Sequence, residues 1–375
     1  MGDVPLPPVE APANRERVVY LFGAGASDAC AKVAGSARGT LMRDLAVDLA
    51  EELRTFVTGA PTENKSLEAL VNDVMDEETD IEHVITFLDE SPSQQHREFA
   101  AVVRTRFAKV LRERLQQIRA DLGDTPDSLY YALLDMHEVT GFGEELRGFL
   151  TLNYDDYLEH AIDRSTSHLL DQGVSIRPRP AGGATTRVLK LHGSFGWDDA
   201  CPITTTGSGG LWIPPGIQKA KERYPFNVLW GLARELLDCD VLRIIGCRLG
   251  PNDWDLISLL FTTRHTSSTG WRYRIEVIDA PERAFYISRA FPYLGVQSLL
   301  EIDSIGSQLV SELIGGHPRS YRTLSPDAQK EVVSKAGTDR NWFFLWLKLK
   351  AETVYRDLGR VDTPKGALKK LMEAH

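Results

Sequence analysis

Residues 17–27 read RVVYLFGAGAS and give the clearest indication of the fold. The run from Arg17 to Phe22 is mostly apolar and leads directly into Gly23 and Gly25, as a buried parallel strand leads into a glycine turn. Such glycines let the backbone approach a ligand, and the N–H groups that begin the next helix attract phosphate. The third glycine of the usual dinucleotide fingerprint is missing, so topology alone also explains this turn.

The rest of the chain alternates between predicted strands and helices. Further strands are predicted at Gly148–Leu152, Arg187–Leu191, Val241–Ile245 and Arg274–Ile278. Amphipathic helices lie between several of them, for example at 226–237, and this alternation is typical of a parallel sheet. We therefore expect an α/β fold built on a Rossmann-like parallel sheet.

Two helical regions do not fit into that alternation. Apolar stripes at 41–57 and 98–118 indicate roughly a hundred residues of helix between two strands, too many for one crossover. We predict a large helical insertion over about 60–145 and, where only helical patterns remain, a helical C-terminal extension over 305–375. The aromatic segment 341–355 fits either a subunit contact or a helix packed on its own core.

Composition restricts the function further. The chain has 375 residues, of which 42% are hydrophobic and 26% charged, and its formal net charge is -10. An acidic balance argues against direct nucleic-acid binding, and the basic residues within 97–114 are expected to be solvated. No apolar run is long enough to cross a membrane, and the 4 cysteines and 9 histidines lack zinc-ligand spacing. We expect a cytoplasmic protein without a metal, with residues 1–16 as a disordered leader and 17–304 as the core domain.

Polar residues and glycines follow three more of the predicted strands. Asn153 and Asp155 follow the second strand, His192 follows the third, and Gly246 follows the fourth. Ligands of open parallel sheets bind outside the carboxyl ends of the strands. Taken singly, Asn153 is explained as a helix cap and His192 as a structural histidine. Because all these strand ends agree, we predict one shared site at this edge of the sheet.

In their order along the chain, the motifs GAGAS, TLNYD, KLHG and IIGCRLG resemble those of the sirtuins, and more narrowly the sirtuin-like domains of bacterial anti-phage defence systems. The resemblance covers about 17–59 and 148–302. It implies that the chain binds NAD+ as its substrate, that Asn153 positions the attacking water and that His192 is the general base. The residues that it assigns to NAD+ binding are Gly23, Ala24, Gly25, Ala26, Ser27, Asp155, Gly246, Cys247 and Asp279.

The sequence also departs from the sirtuin pattern. Leu152 replaces the usual glutamine, Arg248 stands where a serine is common, and no four-cysteine zinc ribbon follows His192. Since that ribbon helps to form the acyl-lysine cleft, we expect an NAD+ hydrolase that releases nicotinamide and ADP-ribose, rather than a deacylase or ADP-ribosyltransferase. The alternative is a non-catalytic sensor or scaffold that binds NAD+ or ADP-ribose.

Regulation is a further implication of the resemblance, because depletion of NAD+ kills the cell. It implies a homo-oligomer or a separate activating partner, such as a translocase ATPase or an Argonaute-like protein. One more feature stays open: the acids Asp80 and Glu82 either point toward the NAD+ site or merely favour the N-terminus of their own helix.

Overall fold

The fold was analysed in a computed structural model of the chain. The structure describes residues 15–36, 39, 41–58, 71, 81–122, 128–139, 142–165, 168–174, 185–197, 211–213, 222, 224–264, 272–298 and 341–357. Of the predicted leader, only its last two residues are described, and Glu16 already belongs to the first strand. The reason is local: the Glu16 amide donates to the Gly143 carbonyl, and its carboxylate is paired with Arg274. Of the predicted C-terminal extension, 341–357 are described.

A seven-stranded sheet forms the centre of the molecule, and all its paired strands are parallel. Its strands in chain order are β1 (Glu16–Phe22), β2 (Glu144–Thr151), β3 (Leu169–Asp171), β4 (Thr185–Lys190), β7 (Val241–Ile245), β8 (Arg274–Ile278) and β9 (Val296–Ser298). The remaining two described strands, β5 (Gly193–Ser194) and β6 (Leu211–Trp212), form a separate two-stranded antiparallel ribbon. The spatial order is β3-β4-β2-β1-β7-β8-β9. The chain therefore reverses direction across the sheet between β1 and β7, and this reversal makes the topological switch point at which α/β proteins bind ligands.

Helices cover both faces of this sheet, as the predicted Rossmann-like fold requires. In chain order, the described helices, which include those of the insertion, are α1 (Ala24–Val33), α2 (Met42–Thr58), α3 (Ile81–Glu90), α4 (Gln94–Leu122), α5 (Ser128–His137), α6 (Tyr157–Arg164), α7 (Phe226–Leu236), α8 (Trp254–Arg264), α9 (Pro281–Ala290) and α10 (Trp342–Asp357). Alternate residues of β1 enter different cores: Tyr20 and Phe22 pack with α1, α5, α6 and α10, whereas Val19 and Leu21 pack with α7, α8 and α9. This two-sided burial explains why the strands appear in the sequence as nearly continuous apolar runs.

A separate apolar core confirms the large helical insertion. It joins α2, α3 and α4 through buried side chains such as Leu49, Ile85 and Phe107. By contrast, α5 packs on the sheet through Leu133 and Met136, so this helix belongs to the core that also contains α1.

The basic residues of α4 are mostly engaged in ion pairs with neighbouring helices. Arg114 pairs with Asp48 and Arg104 with Asp89, while Lys109 contacts Glu52 at 2.7 Å. These pairs neutralise much of the positive charge of α4, and they link α4 to α2 and α3 within the helical insertion. Exposed pairs of this kind contribute little stability individually.

The aromatic C-terminal helix packs on its own chain. Trp342, Phe343, Trp346 and Leu347 of α10 are all buried against the face of the sheet that α1 and α5 also cover. Lys350 of the same helix reaches the carboxylate of Glu144 at 3.2 Å. Of the two alternatives for this segment, the structure therefore shows the helix docked on its own core.

Within the described ranges, no helix is both long and apolar enough to cross a membrane.

Candidate active site

The strand ends that carry the sequence motifs lie level with one another. Lys190 of β4 is in register with Thr151 of β2, which is in register with Phe22 of β1. Phe22 is in register with Ile245 of β7, and Ile245 with Ile278 of β8. The residues that follow these positions therefore emerge at one edge of the sheet, as the sequence motifs predicted.

The glycine turn after β1 packs tightly against the turn after β7. A Cβ atom built on Gly23 would lie 2.6 Å from the Gly246 carbonyl oxygen, and one on Gly25 would lie 2.9 Å from the same atom. Gly246 also has a positive φ of 59°, which favours glycine. These glycines are thus required, at least in part, by the close approach of two backbones at the switch point.

Several backbone N–H groups of the GAGAS motif are already bonded inside the protein. Gly23 donates to the Ile245 carbonyl at 3.1 Å, Gly25 to the Gly246 carbonyl at 2.9 Å, and Ala26 to the Gly23 carbonyl at 2.9 Å. The sequence suggested that N–H groups of this motif hold a pyrophosphate. The motif also contains the N-terminus of α1, which begins at Ala24 and carries the positive end of the helix dipole.

Asn153 is held by hydrogen bonds to that same turn. It is only 7% exposed, and its Nδ2 donates to the Gly23 carbonyl at 3.0 Å and to the Ser27 Oγ at 2.9 Å. Its Oδ1 is buried and has no hydrogen-bond partner. Buried polar atoms are rarely left unsatisfied. The amide oxygen is thus the one polar atom of the Asn153 side chain without a partner in the protein.

Asp155 borders the same group of residues. Burial raises the pKa of the Asp155 carboxyl, whereas the charge of Lys190 and a hydrogen bond from the Ser27 hydroxyl act in the opposite direction. The Asp155 carboxylate also accepts the Tyr157 amide at 3.2 Å, at the start of α6. Asp155 is thus tied to Ser27 and to a helix N-terminus rather than extended into solvent.

A buried lysine contacts the backbone of Asp155 and pairs with a buried glutamate of α6. The side chain of Lys190 is fully buried, pairs with Glu159 at 2.8 Å and donates to the backbone carbonyl of Asp155. Burial raises the pKa of Glu159, while the charge of Lys190 lowers it. A buried lysine requires such a partner. The pair fixes α6 against β4 and holds the backbone of Asp155 in place.

His192 immediately precedes the short ribbon formed by β5 and β6. It is 6% exposed, and its backbone carbonyl accepts the Ile213 amide at 2.8 Å, just after β6. The Tyr154 hydroxyl donates to the Ile213 carbonyl at 2.8 Å, and the rings of Tyr154 and His192 are 6.4 Å apart. Leu191 donates its amide to the Thr151 carbonyl at 2.9 Å, so the ends of β2 and β4 bring the segments of Asn153 and His192 side by side.

Sequence reasoning missed the aromatic residues around that ribbon. Tyr154 packs against Trp212 with ring centroids 5.5 Å apart, and Phe195 packs on Trp212 at 5.1 Å. Trp212 in turn stacks on Phe107 of α4, and the Arg112 guanidinium lies 5.3 Å from the centre of the Phe195 ring. No sequence periodicity connects these positions, and only the fold brings them together. They couple the helical insertion to the edge of the site.

The charge of Glu82, in the first turn of α3, acts on Tyr154. Burial raises the pKa of Tyr154 well above its usual value, and the nearby carboxylates of Glu82 and Asp253 raise it further. Glu82 therefore lies close to a residue of the TLNYD motif. Asp80, by contrast, lies outside the described residues.

The residues predicted on the adenosine side lie after β7 and β8. Gly246 donates its amide to the Ile278 carbonyl at 3.2 Å, and Cys247 is 4% exposed beside it. Asp279 is 6% exposed, and its Oδ1 accepts the Ala280 amide at 2.7 Å, whereas its Oδ2 is buried without a partner. Burial raises the pKa of Asp279, with Arg283 acting against it. Like Asn153, Asp279 thus presents an unsatisfied oxygen at this edge.

Among the residues that the structure describes, no three side chains form a group that could hold a metal ion. Cys30, Cys239 and Cys247 are buried and form no disulfide.

Comparison with known proteins agrees with part of this picture. Residues 147–282 match the protein-family model described as "SIR2-like domain". A solved structure titled "Structural Basis for the Mechanism and Regulation of Sir2 Enzymes" is also similar, with 14% identity, 86% of this chain and 92% of that chain covered, and a TM-score of 0.31. No curated protein matches the sequence. The family match spans the ends of β2, β4, β7 and β8. The predicted sirtuin-like resemblance is thus confirmed by the similarity of residues 147–282 to SIR2-like domains.

Proposed function

We propose that this protein hydrolyses NAD+ at the bond between nicotinamide and ribose. The observation that carries the proposal is the pair of segments at the ends of β2 and β4. They place the unsatisfied amide oxygen of Asn153 and the imidazole of His192 at the same edge of the sheet. The match to a SIR2-like domain implies NAD+-dependent activity in general. The unsatisfied Oδ2 of Asp279 supports the same ligand, since a ribose hydroxyl donates well to a buried carboxylate.

The reaction needs little acid catalysis, because the nicotinamide of NAD+ is already a cationic leaving group. The C1′–N bond breaks, nicotinamide leaves with the electron pair, water forms the new bond to C1′, and one proton is released. The neutral oxygen of Asn153 would accept a hydrogen bond from the attacking water and orient it. His192 would take the proton from that water or from a ribose hydroxyl, because imidazole is a suitable base near neutral pH.

Water is the proposed acceptor because the region after His192 differs from the acyl-lysine side of sirtuin deacylases. The described part of this region is a ribbon, β5 and β6, whose Trp212 packs against Tyr154 and against α4. Leu152, in place of the usual glutamine, is partly buried against the core on one face of the sheet.

We further propose that the activity serves as an effector of bacterial anti-phage defence through NAD+ depletion. In that role the enzyme would be a homo-oligomer, or would depend on a separate activating partner such as a translocase ATPase or an Argonaute-like protein. Light scattering of the purified protein, followed by turnover assays on each species, tests the first possibility. Equal specific activity in monomer and oligomer would contradict control by assembly.

The direct test is incubation of the purified chain with NAD+ and separation of nicotinamide and ADP-ribose by chromatography. We expect release by the wild type and at least a ~100-fold loss in Asn153→Ala and in His192→Ala. The matched control is Asn227→Ala, which changes an exposed asparagine in the first turn of α7 that belongs to none of the sequence motifs of the site. NAD+ binding without turnover, in monomer and oligomer alike, would replace the hydrolase with a sensor or scaffold. Release that depends on an acylated peptide would indicate a deacylase.

A further inference from the structure

We propose that Tyr130 of α5 is a positioning residue that fixes the orientation of the Asn153 carboxamide through the hydroxyl of Ser27. Tyr130 belongs to none of the sequence motifs of the site, and it comes from the helix that follows the helical insertion. Its hydroxyl lies 3.3 Å from the Ser27 Oγ, which is 2.9 Å from the Asn153 Nδ2. The proposal rests on the proposed function, because it concerns the residue assigned to position the attacking water.

The directions of the two Asn153 hydrogen bonds follow from the Gly23 carbonyl, which cannot donate. The Gly23 carbonyl only accepts, so the Asn153 group that faces it, at 3.0 Å, is the NH2. The second hydrogen of that NH2 goes to the Ser27 Oγ. The Ser27 hydroxyl has one hydrogen. Because Asn153 donates to the Ser27 oxygen, that hydrogen is directed away from Asn153, toward the Tyr130 hydroxyl at 3.3 Å or the Asp155 carboxylate. In either case the Ser27 Oγ accepts from Asn153 and contacts the Tyr130 hydroxyl.

This arrangement leaves the buried Asn153 Oδ1 as the atom without a partner in the protein. A carboxamide turned by 180° would place its oxygen against the Gly23 carbonyl oxygen, which is repulsive, and would offer the ligand a donor in place of an acceptor. Ser27 could tolerate that reversal if its hydrogen were free to rotate toward Asn153. The Tyr130 hydroxyl is hydrogen bonded to the Ser27 hydroxyl as donor or acceptor. It therefore competes with rotation of the serine hydrogen toward Asn153 and so opposes the reversal.

Packing holds Tyr130 rigidly in the position that this role requires. Its side chain is 1% exposed, with the Phe22 ring centroid at 5.0 Å and the Phe343 ring centroid at 6.0 Å. Phe343 comes from α10, and Asn341 just before this helix donates to the Ala29 carbonyl of α1 at 2.7 Å. Tyr130 is thus held between the first strand and the C-terminal helix. Because it is buried beneath Ser27, it acts through that residue and does not touch the substrate.

The test variant is Tyr130→Phe, which removes only the hydroxyl. Its matched control is Tyr273→Phe, because Tyr273 is also buried and hydrogen bonded, to Thr263 at 2.8 Å, but packs in the core on the opposite face of the sheet. We expect Tyr130→Phe to lower kcat for NAD+ hydrolysis by about 10-fold, the value of one buried hydrogen bond, with KM changed less than about 2-fold. In an Asn153→Ala background, Tyr130→Phe should have no further effect on kcat. The control should leave kcat and KM unchanged.

A second readout does not depend on catalysis. Urea midpoints are compared for Tyr130→Phe, Ser27→Ala and the double variant, and the shift of the double variant should be smaller than the sum of the single shifts. Additive shifts would overturn the hydrogen-bond chain. An equal kcat in Tyr130→Phe and Tyr273→Phe would overturn the positioning role. If the wild type hydrolyses no NAD+ in any assembly state, the proposed function fails, and the urea comparison alone then supports or overturns the chain.

Discussion

The buried charge network under the C-terminal helix offers the sharpest test of how this fold is held together. Arg243, in the middle of β7, is 2% exposed and donates to Glu144 at 2.5 and 2.7 Å and to Glu276 at 2.7 Å. It also donates to the Tyr20 hydroxyl at 3.1 Å. These contacts lower the pKa values of both glutamates, against the effect of burial. The perturbation is Arg243→Met, which keeps most of the apolar stem and removes the charge.

The expected loss follows from what the variant leaves behind. Glu144 and Glu276 are 7% and 3% exposed, so both carboxylates would stay in a region from which water is largely excluded. Lys350 remains beside Glu144 and Arg274 beside Glu276, which reduces the penalty without removing it. Breaking a buried ion pair by removal of one partner costs about 3–5 kcal/mol. We expect Arg243→Met to lie in that range and to loosen α10, because the guanidinium of Arg243 also packs on the ring of Trp346 of α10.

The assay is urea unfolding followed by circular dichroism, with Arg272→Met as the control. Arg272 pairs with Asp238 at 2.7 Å, but the two side chains are 37% and 51% exposed, and exposed pairs contribute only about 0–1 kcal/mol. Adding Glu144→Gln to Arg243→Met should restore part of the loss, since a neutral amide is cheaper to bury. A loss below about 1 kcal/mol for Arg243→Met, similar to the control, would refute the assignment of this network as a major stabilising feature.

Three further outcomes are expected. Asp279→Ala should weaken NAD+ binding by about 10- to 100-fold, measured by calorimetry, because a hydrogen bond to a buried carboxylate is lost; an unchanged affinity would place the ribose elsewhere. Gly246→Ala should destabilise the protein more than Gly143→Ala in thermal unfolding. Both glycines have a positive φ, but only at Gly246 would the new Cβ meet backbone atoms, with the Gly25 carbonyl carbon at 2.5 Å. Equal destabilisation by the two substitutions would exclude close packing as the cause. Burial lowers the pKa of His137 to about 3, so this side chain takes up a proton more readily in the unfolded chain. Its contribution to the free energy of unfolding is therefore complete above about pH 6.5. That contribution falls by about 1.4 kcal/mol for each pH unit as the pH falls toward 3. The free energy of unfolding of His137→Phe should therefore fall less steeply between pH 6 and 4 than that of the wild type, and parallel slopes would contradict this assignment.

Much of the fold was predictable because strong local patterns dominate it. The strands Val241–Ile245 and Arg274–Ile278 have the predicted bounds, since each is a short apolar run bounded by polar or turn residues. The shorter strands β3 and β9 escaped prediction, because three residues carry no periodicity and their pairing is set by neighbouring strands. The alternation of strands and helices also predicted a parallel sheet, whereas the strand order depends on crossovers that local sequence does not encode.

The sequence by itself determined the edge of the sheet at which function is expected. Motifs that end parallel strands must emerge together, and the types of residue there, including Asn153, His192 and Asp279, suggested the chemistry. Only the tertiary structure decided how those residues are held. Tyr130 lies 103 positions from Ser27 in the chain, yet the two hydroxyls meet. The glycines of the first turn pack against the backbone after β7, and Phe343 of the C-terminal helix packs against Tyr130. Contacts between distant segments depend on how elements pack, and side-chain patterns within one segment do not record which surface that segment will meet.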